Sequence, residues 1–195
     1  MPYRRTEFKK GYYYHIYNRG VNGQNIFRSH DNYRFLLQRI RKIFPRDHIA
    51  PIAYCLMPNH YHFLLRQDND IPISKAIQAI FNSYSKAFNL RYNRSGTLFG
   101  DRFKSILVDK EEYLIHLCRY IHCNPISGKK PLVTSLEQWS YSNYPEWTGI
   151  RNGELVDREF IRTYFPTRDD YKDFVFDYHP SEKLVEELKA YFLDC

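Results

Sequence analysis

Two short segments hold residues whose types and spacing could do chemistry. The first is His60-Tyr61-His62. On an extended strand, residues i and i+2 share a face about 6.5–7 Å apart. Two imidazoles so placed can grip one metal ion, while Tyr61 turns to the opposite, buried face. The second is Arg119-Tyr120-Ile121-His122-Cys123-Asn124-Pro125. On a helix, Tyr120 and Asn124 stand four residues apart and project from one side. An asparagine carbonyl is a hard oxygen ligand for Mg²⁺ or Mn²⁺, and a tyrosine phenol can be a nucleophile. Both segments also have a plain structural reading. The histidines can be surface residues beside a turn, and Asn124 can cap a helix before proline. His15 reads as core or sheet surface, and His116 and His122 as helix-surface residues. Cys118 and Cys123 read as small buried residues.

These residues need elements to position them. Tyr12 to Tyr17 is aromatic and β-branched enough for a strand. Ser29 or Asp31 can cap a helix with an apolar face of Phe35, Leu36, Ile40 and Ile43, ended by Pro45. Ile49 to Met57 and His60 to Arg66 read as two strands of a hairpin about Pro58-Asn59, which places His60 and His62 on an exposed strand surface. Ser74 can cap a long helix through Ala76, Ile77, Ile80, Tyr84 and Phe88. Phe103 to Val108 reads as a strand. Asp109, with Glu112 in the capping-box position, can start a helix whose core face is Leu114, Ile115, Cys118 and Ile121. Pro125 stops it. The order strand–helix–strand–strand–helix–strand is the split βαβ, ferredoxin-like pattern. Ser181 to Leu193 reads as a C-terminal helix. The fold class predicted is α+β: a ferredoxin-like, RRM-like antiparallel sheet with helices packed on one face, plus a C-terminal helical extension.

Composition narrows the function. The chain has 195 residues, 43% of them hydrophobic, enough for one packed domain with a small appendage. It has no run of about 18 apolar residues, so a membrane-spanning helix is excluded. The first ten residues lack the apolar stretch of a secretory signal. Cys55, Cys118, Cys123 and Cys195 show no CxxC spacing, which argues against a disulfide framework or a structural zinc site and for a reducing cytosol. The net charge is +7 and there are 18 tyrosines. A basic surface attracts polyphosphate and aromatic rings stack on exposed bases, which together favour unpaired nucleic acid. The charge is uneven. Residues 1–150 carry 22 Lys and Arg against 11 Asp and Glu, and residues 151–195 carry 7 against 11. A basic body, 1–150, and an acidic extension, 151–195, are the expected units. Asp169, Asp170, Asp173 and Asp177, interleaved with Tyr171, Phe174, Phe176 and Tyr178, could let that extension lie beside a DNA groove and imitate stacked bases.

Several ordered segments resemble one family. Met57-Pro58-Asn59-His60-Tyr61-His62-Phe63-Leu64-Leu65, the run from Phe99 to Val108, and Leu117 to Pro125 are similar to those of the REP-associated tyrosine transposases. These belong to the single-tyrosine branch of the HUH nuclease superfamily. Tyr14-His15-Ile16-Tyr17-Asn18-Arg19-Gly20, Ile26-Phe27-Arg28 and Trp139-Ser140-Tyr141-Ser142-Asn143-Tyr144 resemble further family elements. The chain departs from the family's pattern at Ile126-Ser127-Gly128-Lys129-Lys130 and at Gly100.

The resemblance implies a single-strand DNA endonuclease and strand transferase. A divalent metal, Mg²⁺ or Mn²⁺, would be held by His60, His62 and Asn124. Tyr120 would attack phosphorus to give a 5′-phosphotyrosine and a free 3′-OH. The DNA would be single-stranded or a hairpin formed by repetitive extragenic palindromes (REP). Arg4, Arg5, Lys9, Lys10, Arg19, Arg102 and Lys104 are the expected backbone contacts. A monomer or homodimer in a bacterial cytoplasm, nucleoid-associated when bound to DNA, would carry the activity, with no membrane partner. Two other readings stay open: a non-catalytic single-strand-binding module, and a metal-dependent nuclease without a covalent intermediate.

Overall fold

A computed structural model of the chain describes residues 6–44, 48–127, 130–177, 179 and 181–191. Four strands form one antiparallel sheet: β1 (Tyr13–Arg19), β2 (Ile49–Met57), β3 (His60–Gln67) and β4 (Lys104–Val108). Their spatial order is β2-β3-β1-β4. Helix α1 (His30–Ile43) joins β1 to β2, and α2 (Ile73–Arg91) joins β3 to β4. This is the ferredoxin-like arrangement expected from the element order. Helix α3 (Glu111–Cys123) follows, then the short helices α4 (Tyr144–Trp147), α5 (Arg158–Tyr164), α6 (Arg168–Phe176) and α7 (Glu182–Leu188).

Strand alternation sorts the side chains onto two faces. Tyr14, Ile16, Tyr61, Phe63 and Leu65 meet α1 and α2 through Leu36, Ile40, Ile77, Phe81 and Tyr84. These are the helices expected on one face. The other face is covered as well. Ala53, Cys55 and Leu64 pack with Leu114, Leu117, Cys118 and Ile121 of α3 and with aromatic residues of the C-terminal part. The sequence carried the signal for this second layer. Ile52 to Leu56 is an unbroken buried run, the pattern of a strand with two covered faces rather than one.

Helix starts follow local chemistry, with two differences from expectation. Ser29 forms a capping box with Asn32 at the start of α1. Helix α2 begins at Ile73 after Pro72, so Ser74 lies inside it. The exposed amide end is held by Gln67 instead, whose Oε1 accepts from Ile73 N at 3.0 Å. Lys110, not Asp109, is the residue before α3, and no side chain caps it. Glu111 and Glu112 place negative charge in its first turn, which suits the helix dipole. Ser181 caps α7 as expected. That helix ends at Leu188 and a 3-10 turn runs on to Tyr191; Leu193 lies outside the described residues.

Residues 139–143 seal the edge of β2. Leu56 N donates to Tyr141 O at 2.9 Å, and Asn143 Oδ1 accepts from Tyr54 N at 2.7 Å, so the strand edge is not left open. The extension after residue 150 then closes over α3. Tyr164 Oη donates to Glu111 Oε1 at 2.7 Å and Tyr113 Oη to Glu187 Oε2 at 2.6 Å. Arg119 Nε donates to Val175 O at 2.9 Å. Tyr171 is fully buried against Trp147, with ring centroids 4.4 Å apart. Tyr171 is therefore core and not a base mimic, because α3 offers it an apolar seat. Phe174 packs on His116, and Tyr178 lies outside the described residues. No described helix is long and apolar enough to cross a membrane.

Candidate active site

The site forms where β1, β3 and the end of α3 converge. Register puts Tyr17 opposite His62 and Arg19 opposite His60. Alternation then sends His15, Tyr17, Arg19, His60 and His62 to the α3 face, and Tyr61 to the opposite core. The expected exposed setting of the two histidines is not what the fold provides. His60 is 7% exposed and His62 0%, because α3 and the extension cover this face. Burial and the neighbouring imidazoles His15 and His60 hold His62 well below the usual histidine range, so it is neutral.

Helix α3 delivers the other two residues. Its pitch stacks Tyr120 and Asn124 on one side, and Asn124 Nδ2 donates to the Tyr120 carbonyl at 2.9 Å. The Tyr120 ring stands edge-on to His62, with centroids 5.5 Å apart. His60 and His62 rings are 5.1 Å apart. The structure thus brings His60, His62, Tyr120 and Asn124 together.

Proton placement around His60 is informative. Its Nδ1 lies 2.7 Å from Asn59 Oδ1 and its Nε2 3.2 Å from Asn124 Oδ1. The amide orientations are set by Asn124 Nδ2 donating to Tyr120 O and Asn59 Nδ2 to Gly23 O. Both ring nitrogens therefore face amide oxygens. In a neutral ring with its N–H on the shorter contact, to Asn59, Nε2 would present a lone pair beside Asn124 Oδ1. Neighbouring corners of an octahedral site with ligands at roughly 2.1 Å lie about 3.0 Å apart, close to this spacing. His62 Nε2 is buried and has no hydrogen-bond partner among the described residues. The donor set of two imidazole nitrogens and one amide oxygen fits a divalent cation. Among the described residues, no three His, Cys, Asp or Glu side chains converge in this way; the third donor here is an amide.

The expected DNA-contact residues divide by position. Arg19 is exposed at the His60 end of β1, and Lys104 Nζ sits 6.0 Å from the Tyr17 ring centre. Arg102 is exposed in the preceding loop and lines a groove with Asn18, Gln78, Phe81 and Phe103 on the α2 side of the sheet. Lys9 and Lys10 are exposed at the opposite end of β1, and Lys9 pairs with Glu7 at 3.1 Å. Arg4 and Arg5 lie outside the described residues.

His122 and Asn59 behave differently from their sequence reading, while His15, read as core or sheet surface, is core. His122 is fully buried, not on the helix surface. Tyr171 Oη lies 2.5 Å from its Nδ1 and Asn143 Oδ1 lies 2.9 Å from its Nε2. His15 is fully buried too, with Nε2 3.0 Å from His62 Nδ1. Asn59, read only as a turn residue, holds His60. Alternation along Tyr14-His15-Ile16-Tyr17 put His15 on a definite face; only the β1–β3 register shows that His62 shares it.

A family profile described as IS200-like transposase matches residues 8–124. A REP-associated tyrosine transposase solved bound to a REP hairpin superposes with a TM-score of 0.63 at 19% identity, covering 80% of this chain and 94% of that one. A crystal structure of a protein from Deinococcus radiodurans R1, assigned as a transposase, aligns with a TM-score of 0.41 at 18% identity, covering 62% and 95%. No curated protein sequence matches. The solved hairpin-bound structure shares the fold, and the profile spans more than half of the chain: the protein belongs to the IS200-like transposase family and is a DNA-cleaving transposase.

Proposed function

We propose that the chain is a metal-dependent single-strand DNA endonuclease and strand transferase acting through Tyr120. The observation that supports this best is the convergence of His60 Nε2 and Asn124 Oδ1, 3.2 Å apart, with His62 and the Tyr120 ring beside them. His60, His62 and Asn124 would hold Mg²⁺ or Mn²⁺. A bound divalent ion polarises a scissile phosphate and offsets charge on its oxygens.

The chain's own residues do the rest. The Tyr120 oxygen attacks phosphorus, a P–O bond forms, and the bond to the 3′ oxygen breaks. The products are a 5′-phosphotyrosine and a free 3′-OH. The link keeps the energy of the phosphodiester, so a 3′-OH can reverse the step and join strands. Arg19 and Lys104, exposed on the histidine face, are placed to hold the strand's phosphates. A hairpin formed by a repetitive extragenic palindrome is the proposed substrate, since the fold neighbour was solved with one.

The test is incubation of the full chain with labelled hairpin DNA and Mn²⁺. A denaturation-resistant DNA–protein adduct is expected, absent without metal and absent in Tyr120→Phe. Cleavage at the same phosphate by Tyr120→Phe, without an adduct, would instead mark a nuclease with no covalent intermediate. Binding without cleavage would mark a non-catalytic module.

A further inference from the structure

His15 belongs to neither the proposed metal ligands nor the nucleophile, yet it is among the most buried polar residues of the chain. It sits on β1 opposite Leu64, so His62 is its diagonal neighbour across the sheet. The two rings stack at an 18° interplanar angle, with His15 Nε2 3.0 Å from His62 Nδ1. One N–H must lie between these two nitrogens, and the question is which ring owns it.

The proposed metal site decides. If His15 donated, His62 would carry its proton on Nε2, a buried atom with no acceptor among the described residues. An unmet buried donor is costly. If His62 donates, its Nε2 becomes a lone pair, and His15 carries its proton on Nδ1. That atom too is buried with no hydrogen-bond partner among the described residues, so protein contacts leave one N–H unmet in either arrangement. Only the second leaves His62 Nε2 as a lone pair on the face it shares with His60 and Tyr120, where the proposed metal would take it.

We infer that His15 is a positioning residue whose Nε2 accepts the His62 Nδ1 proton, fixing the tautomer and ring angle that present His62 Nε2 to the metal. The inference rests on the metal reading proposed above and adds the device that prepares it. Asn59 Oδ1 does the same for His60. Both ligand imidazoles are thus held from behind through Nδ1. Partners of this kind tune ligand orientation and basicity, and their loss lowers metal affinity about 10- to 100-fold.

Two readouts test this on the full chain. In the metal-free wild type at neutral pH, long-range ¹H–¹⁵N spectra of labelled histidine should show His62 as the Nδ1–H tautomer. Its appearance as Nε2–H would overturn the inference whatever any variant does. Mn²⁺ affinity by calorimetry should fall about 10-fold or more in His15→Phe, which keeps the ring and removes the acceptor. His15→Gln, whose amide oxygen can accept the same proton, should recover most of the loss. Unchanged affinity and unchanged His62 tautomer in folded His15→Phe would overturn the inference while leaving the metal site standing. The metal reading fails separately, if wild type and His62→Ala bind Mn²⁺ equally.

Discussion

The α3 face of the sheet holds two buried histidine clusters, and they are built on opposite plans. At His122, both ring nitrogens are met. Asn143 Nδ2 donates to Ile52 O at 2.8 Å, which fixes its Oδ1 as the acceptor for His122 Nε2–H. His122 Nδ1 can then only accept, and the Tyr171 hydroxyl supplies the proton. Around His60 and His62, one Nε2 meets the Asn124 amide oxygen at 3.2 Å and the other has no hydrogen-bond partner among the described residues. Buried polar groups in folded proteins are nearly always paired. A closed network is therefore architecture, and an incomplete one among the same residue types is what the proposed metal site would leave.

That contrast can be attacked in order of expected effect. Tyr120→Phe removes one oxygen at the open cluster's edge. The covalent adduct should fall by roughly 10⁴-fold or more, the scale of losing a nucleophile, with melting temperature unchanged; a gel under denaturing conditions checks it. His60→Ala and His62→Ala should lower Mn²⁺ affinity more than about 100-fold, beyond what loss of an outer partner does. Mn²⁺ should then raise the melting temperature of wild type but not of these variants. Asn124→Ala should weaken Mn²⁺ binding less than either, because a neutral amide is the poorest of the three donors; calorimetry ranks them.

The closed cluster should respond in the other currency. His122→Ala removes a fully satisfied buried side chain and strands Tyr171 and Asn143, costing about 2–4 kcal/mol of stability in urea denaturation. The variant that remains folded should keep its Mn²⁺ response. A His122 variant that loses metal binding at unchanged stability would break the distinction between the two clusters.

The smallest effect is with pH. Burial pushes the His122 pKa down to about 4, against about 6.5 in an unfolded chain. Between these values the unfolded state binds the extra proton, so stability must fall as pH drops from about 6.5 towards 4 and stay flat above about 7. His15, pushed down to about 3 by burial, acts in the same sense. Thermal melts across that range check the slope. Stability that rose on acidification would mean the histidines are not buried as neutral groups.

Much of this was legible in the sequence where local rules govern. The strand spanning Ile49–Met57 follows from its β-branched apolar run and the turn at Pro58-Asn59. The expected opposition of Tyr61 to His60 and His62 holds because side chains alternate on any strand. Spacing pointed to each pair of the proposed site, i and i+2 for His60 and His62 and i and i+4 for Tyr120 and Asn124, but only motif order joined the two pairs. What could not be read were relations set by register and by the extension. Nothing near His15 says that its diagonal neighbour is His62. Nothing near His122 says that Tyr171, 49 residues away, would reach it. The helices α5 and α6 escaped notice because each is short, seven and nine residues, and held by packing on α3 more than by intrinsic preference.

The grip of the extension on α3 has a mechanical consequence. The helix that carries Tyr120 is tied near its start through Glu111 and Tyr113, and near its end through Arg119 and His122. A rod clamped at both ends cannot swing about either one. Any excursion of Tyr120 away from the sheet, for instance to carry a covalently attached strand toward a new end, must first unclip the extension. The cost of that opening is the local unfolding free energy of α5 to α7, and the frequency of opening sets an upper limit on how fast such a swing can recur.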